Sequence, residues 1–147
     1  MGDTNTLRIE RLVNATPEAL YEAWTTPSAM EEWYRDGDGY VARVVEHDLR
    51  VGGRYRIEFG PEGAAPFVEQ GEYLELDPPR RVVVRETLAT PEGGGWTGTI
   101  ATVEFLHEGD KTRFVLVHEG FPSTIERDAA AGGWPGFVDR VERLVSR

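Results

Sequence analysis

The sequence predicts an α+β fold: a curved antiparallel β-sheet of about seven strands, two short helices after the first strand, and a long C-terminal helix packed across the sheet. Three observations carry that prediction. Thr16-Pro17 and Thr26-Pro27 mark two closely spaced helix starts. From Gly39 onward, alternating apolar and polar residues run between glycine and proline breaks, with no helix-length periodic segment before residue 122. Beyond that point Trp134, Phe137, Val138, Val141, Leu144 and Val145 recur at helical spacing.

Thr6 to Asn14 alternates Leu7, Ile9 and Leu12-Val13 with Arg8, Glu10 and Arg11, the pattern of a half-buried strand. The first helix places Thr16 as its cap and buries Leu20, Ala23 and Trp24; the second places Thr26 as its cap and buries Met30, Trp33 and Tyr34. Strands are expected near Tyr40 to Glu46, Gly53 to Gly60, Phe67 to Leu76, Arg81 to Thr90, Thr99 to His107 and Lys111 to Glu119. Alternation puts Tyr55, Ile57 and Phe59 on one face, as it does Val103 with Phe105, and Thr112, Phe114, Leu116 and His118. Arg54, Arg56, Glu58, Thr102 and Glu104 take the opposite face, which leaves one apolar side to be covered.

The terminal helix supplies that cover, with Asp139, Arg140, Glu142 and Arg143 on its solvent side. Ser123 and Glu126 have capping-box spacing, which starts the helix near Thr124. Pro135 clashes with the carbonyl of Ala131, so a kink or restart is expected between Gly132 and Pro135.

Composition bounds the function classes. A chain of 147 residues, 39% apolar and 29% charged, suits one domain, 1–147. No stretch approaches the roughly 20 apolar residues of a membrane helix, and Met1 to Leu7 has no signal-peptide character, so a cytoplasmic protein is expected. The absence of cysteine fits a reducing compartment and removes thiolate catalysis and cysteine-ligated zinc. A net charge of −10 repels nucleic acid and anionic membranes, so neither is an expected partner.

Motifs for chemistry are sparse. Gly93-Gly94-Gly95-Trp96-Thr97-Gly98 satisfies a dinucleotide-loop pattern, but strand-like residues follow where a helix is required, so a glycine-rich hairpin loop is expected. Asp36-Gly37-Asp38-Gly39 begins like a calcium loop, yet His47 stands where the bidentate glutamate belongs. His47, His107 and His118 are scattered, and neither a metal nor a cofactor is expected. His118 is the first acid-base candidate, inward at the end of the last strand; Glu69 and Glu86 rank behind it, with the exposed face as the expectation for carboxylates.

The chain resembles the START-like, or helix-grip, superfamily that includes the birch-pollen allergen. Within it the chain is similar to the C-terminal domain of the activator of the heat-shock-protein-90 ATPase. The resemblance rests on Ala15-Thr16-Pro17-Glu18 with Trp24, Trp33, Asp48-Leu49-Arg50-Val51-Gly52-Gly53, Gly71-Glu72-Tyr73 with Pro78-Pro79-Arg80, Thr102-Val103-Glu104-Phe105, and Gly133-Trp134. It implies a cavity between helix and sheet for an apolar or aromatic small molecule, lined by Trp33, Tyr55, Ile57, Phe59, Phe114, Leu116, His118, Trp134, Phe137, Val138 and Val141. Two alternatives stand beside ligand binding: a cyclase or lyase using His118 or a pocket carboxylate as base, and a chaperone-binding module. Either a monomer or a homodimer is compatible with the sequence.

Overall fold

The structure is a computed structural model and describes residues 5–146. Its elements follow in the order β1 (Leu7–Val13), α1 (Pro17–Thr25), α2 (Pro27–Trp33), β2 (Tyr40–His47), β3 (Arg54–Pro61), β4 (Phe67–Asp77), β5 (Arg81–Ala89), β6 (Gly95–Glu108), β7 (Lys111–Glu119) and α3 (Thr124–Val145). The strands form one antiparallel sheet in the order β1-β7-β6-β5-β4-β3-β2. Strands β2 to β7 make a meander, and β1 closes beside the last of them. The α+β arrangement is therefore the one the sequence predicts, with α1, α2 and α3 on a single face.

Parity along the strands decides what those helices cover. Tyr55, Ile57, Tyr73, Val82, Val84, Val103, Phe105, Phe114 and Leu116 are buried on the inner face, against Leu20 and Trp24 of α1, Met30 and Trp33 of α2, and Ala130, Val138 and Val141 of α3. The outer face carries cross-strand ion pairs, Arg81 with Glu75 and Glu104 at 3.1 and 3.0 Å and Arg85 with Glu72 at 3.1 Å. Half-exposed pairs of this kind each contribute at most about 1 kcal/mol.

Helix ends show which caps the chain uses. Thr16 accepts from the Ala19 amide at 3.1 Å, and Ser123 accepts from the Ile125 amide at 3.2 Å, while Glu126 reaches back to Ser123. Thr26 departs from expectation: its side chain makes no capping bond. Its backbone serves both helices instead, donating to the Glu22 carbonyl and accepting from the Met30 amide.

Four further departures have physical causes. Helix α3 runs unbroken through Pro135, so of the expected kink or restart the restart does not occur. Pro135 withholds a donor from the Ala131 carbonyl, but Ala131 is an exposed residue, so the missing bond falls on the solvent side of the helix and not in the core. Leu144 lies outside the buried stripe, 44% exposed. Arg140, expected in solvent, folds back on the end of α2, donating from Nε to the Trp33 carbonyl at 2.8 Å and from a terminal nitrogen to Asp36 at 3.0 Å. A guanidinium at a helix C-terminus meets carbonyls that lack intrahelical donors. Strand β6 begins at Gly95, not at Thr99, so only Thr90 to Gly94 form the tight hairpin tip.

Candidate functional site

A pocket of about 250 Å³ opens between the N-terminal half of α3 and strands β3 to β6. Its walls are Trp33 and Tyr34 at the end of α2, Phe59 of β3, Phe67 of β4, Leu88 of β5, Trp96 of β6, and Trp134 and Phe137 of α3. The space exists because α3 presents Ala129, Ala130 and Gly133 there, residues with almost no side chain to fill it. Glu69, Glu86 and Thr90 bring polar groups to an otherwise apolar and aromatic lining. Beneath it lies a void of about 20 Å³, the size that holds a water, which shares Trp33, Tyr34, Glu69, Glu86 and Trp134 and reaches Tyr55 and Tyr73.

Two carboxyls meet on the pocket floor. Glu69 and Glu86 lie side by side in the lining, close enough that each alters the other's proton affinity. The Tyr55 hydroxyl donates to Glu69 Oε2 at 2.8 Å, and the Tyr34 hydroxyl is a further partner of Glu69. Trp96 Nε1 donates to Glu86 Oε1 at 3.2 Å. His118 Nε2 lies 3.0 Å from the same oxygen and 2.9 Å from Thr99 Oγ1. On its other side His118 Nδ1 accepts from Trp134 Nε1 at 3.0 Å. Because an indole nitrogen only donates, Nδ1 carries no proton and Nε2 carries the one that faces Glu86 and Thr99.

Burial sets the charges. It lowers the His118 imidazole to about 4, so its contact with Glu86 is a hydrogen bond from a neutral ring and not an ion pair. Burial raises Glu86, and burial together with the neighbouring Glu86 charge raises Glu69 well above the usual carboxylate range. Burial also raises Tyr34 and Tyr55, which keeps both as donors. Glu69 is only half-buried by area because its carboxyl opens into the pocket, while the surrounding protein still strips it of bulk water. Burial and mutual proximity thus both favour proton uptake by the pair.

Local backbone features bring these groups together. Glu69 has the parity of inward Gly71 and Tyr73, and Glu86 that of Val82 and Val84, so both carboxyls face inward, against expectation. Gly71 leaves room for the Tyr55 ring to cross β4 toward Glu69; a Cβ there would stand 2.2 Å from Cε2 of that ring. On β6, Glu86 pairs with Thr99 but Leu88 pairs with Trp96, so Thr97 and Gly98 together oppose Thr87. Gly98 adopts φ +73° in this bulge. The extra residue reverses parity, turning Trp96 inward beside Glu86.

The sequence-derived site residues divide into three groups. Trp33, Phe59, Trp134 and Phe137 stand on the pocket wall, and Tyr55 on the void beneath. His118 lies one hydrogen bond behind the wall, joined to Glu86 and Trp134. Ile57, Phe114, Leu116, Val138 and Val141 are packed in the closed part of the core and line neither space. Sequence reasoning left out Tyr34, Phe67, Leu88 and Trp96 and ranked Glu69 and Glu86 low. Strict alternation from Phe67 to Tyr73 and from Val82 to Glu86 is the signal that finds the two acids. His47 bonds the Tyr73 hydroxyl at 3.0 Å, away from the carboxyl pair, and no metal-ligand cluster occurs among the described residues. Among the described residues, no helix is long and apolar enough to cross a membrane.

Comparison with known proteins places these features in context. A crystal structure of a protein from Chromobacterium violaceum superposes with a TM-score of 0.82 at 30% identity, covering 97% of this chain and 99% of that one. One from Mycobacterium smegmatis gives 0.81 at 21% identity, covering 98% and 92%. The solution structure of an AHSA1-like protein from Aeromonas hydrophila gives 0.73 at 23% identity, covering 94% and 90%. The last two show the fold alone. No curated protein matches the chain. The family model described as "Activator of Hsp90 ATPase homolog 1-like protein" matches residues 14–146, and the chain belongs to that family.

Proposed function

We propose that this protein binds a small apolar or aromatic molecule in the pocket between α3 and the sheet, acting in the cytoplasm. The observation that carries the reading is the lining: aromatic rings from α2, β3, β4, β6 and α3 surround a space with a carboxyl pair on its floor. Ligand sites are mostly apolar with a few placed polar groups, and this wall has that composition. Titration with the neutral dye Nile red tests the reading, because Trp33, Trp96 and Trp134 all stand at the pocket and report on its contents. Saturable quenching that Phe137→Arg removes supports it. Absence of saturable binding by this dye and by a varied apolar panel would sink it.

One observation favours a second reading, acid-base turnover of a bound ligand. Glu69 and Glu86 adjoin each other in the pocket lining with raised proton affinity, which suits a paired acid and base. Glu69, and not His118, is then the group that touches substrate, since His118 does not line the pocket. Turnover that survives Glu69→Gln would exclude it. A chaperone-facing role, as the family description suggests for its namesake, would instead show as a changed chaperone ATPase rate on adding this protein.

A further inference from the structure

The ligand-binding reading leaves the class of ligand open, and the pocket's charge balance narrows it. Glu86 Oε1 faces two N–H donors, from Trp96 and from His118, and a carboxyl oxygen facing two donors accepts from both. Two N–H donors on one oxygen stabilise the carboxylate form of Glu86, which puts a negative charge on the pocket floor. Every group bonded to the pair is neutral: the Tyr55 and Tyr34 hydroxyls, the Trp96 indole and the His118 imidazole. No lysine or arginine lines the pocket among the described residues. Arg140 sets its guanidinium 4.9 Å from the centre of the Phe137 ring, yet bonds the Trp33 carbonyl and Asp36 and not the carboxyl pair. Buried charges in proteins are ordinarily matched by an opposite charge, and this one is not.

The walls add an independent preference. Phe59 and Phe67 stack at 5.5 Å, and Phe137 meets both Phe59 and Trp134 edge to face. Aromatic faces attract cations through their quadrupole, most strongly where water is excluded. An anion would meet repulsion from the floor and from the ring faces, and a neutral apolar molecule would leave the carboxylate without a counter-charge.

The geometry points to an organic cation as the ligand: a protonated amine on an apolar body, its N–H groups on Glu69 and Glu86 and its flank against Phe59, Trp96, Trp134 and Phe137. This inference rests on the ligand-binding reading above and names the class that the site selects.

Three probes of matched shape test it: 2-phenylethylamine, 2-phenylethanol and phenylacetate, titrated against the intact chain at neutral pH by calorimetry and tryptophan fluorescence. The amine should bind at least tenfold more tightly than the alcohol, and phenylacetate more weakly than either. In the Glu69→Gln/Glu86→Gln double variant, which removes both carboxyls of the pair and whose fold is checked by circular dichroism, the preference for amine over alcohol should shrink at least fivefold. Equal affinity for amine and alcohol, or a preference for phenylacetate, overturns the charge inference. Nile red is the control for the underlying reading. If it binds while no amine does, the cation class fails and the pocket stands; if neither it, nor the apolar panel, nor any amine binds, the pocket reading itself fails. The comparison among probes on the unaltered protein decides the matter even if the variant does not fold.

Discussion

Trp134 Nε1 donates to His118 Nδ1 at 3.0 Å, a bond from helix to sheet that fixes the imidazole as the tautomer protonated on Nε2. His118 is fully buried, so the protein has no water with which to replace that donor. Trp134→Phe should therefore cost about 1 to 3 kcal/mol, the penalty for an unsatisfied buried acceptor plus some lost packing. It should also raise the pH at which His118 titrates, since the bond favours the neutral ring. Urea unfolding and imidazole NMR titration measure the two effects.

Stability should depend on pH with a sign set by His118. Its folded value, about 4, is below the ordinary 6.5, so between those pH values the unfolded chain binds more protons and stability rises with pH. The full difference corresponds to about 3 kcal/mol, gained between pH 4 and 6.5. Glu69 and Glu86 act in the opposite direction. Their raised folded values give stability that is complete below the ordinary carboxylate range and is lost as pH climbs through the folded values. Comparison of the wild type with His118→Gln isolates the first contribution: the stability gap between them should widen from pH 4 to pH 6.5.

Gly71→Ala should destabilise the fold by about 1 to 3 kcal/mol, because its Cβ collides with a packed tyrosine ring and not with a flexible chain end. The added methyl also pushes the Tyr55 hydroxyl away from Glu69. Tyr55→Leu in the same chain relieves the collision and should recover part of the loss, which equilibrium denaturation of single and double variants would show.

Helix α3 gives a stabilising prediction. Nothing lies within 4 Å of a Cβ built on Gly132, and that residue sits inside the helix. Gly132→Ala should raise stability by about 0.5 to 1 kcal/mol through helix propensity and a less disordered unfolded chain. A higher denaturation midpoint with an unchanged slope is the expected result.

Arg140 ties α3 to the end of α2. Arg140→Met removes both the bond to the Trp33 carbonyl and the guanidinium that lies 4.9 Å from the Phe137 ring centre, and should cost about 1 to 2 kcal/mol. Asp36→Asn should cost less than Arg140→Met, since Asp36 is largely exposed. Thermal melts of both variants rank the two contacts.

Periodicity made the elements legible: strand β7 and the two Thr-Pro helices lie where alternation and punctuation put them. It failed where one residue changes parity or one side chain reverses direction. The bulge at Thr97 and Gly98 hid Trp96 inside what reads as a loop. Arg140 belongs to the polar positions of α3, yet its length lets the guanidinium return to the adjoining helix. Glu69 and Glu86 sit at apolar parity, but a carboxylate at such a position reads as a register error until its donors are known. Those donors come from β3, β6, β7 and the end of α2, separations that no local pattern spans.

The small residues of α3 divide the pocket's chemistry between two inheritances. Charge is held by the sheet, where each carboxyl is fixed by several partners and tolerates little change. Volume is held by the helix, at Ala129, Ala130 and Gly133, where a single longer side chain would reshape the space without disturbing the ladder beneath. The outline of the pocket can thus change without moving its polar anchor, because the two properties are encoded at separate addresses in the chain.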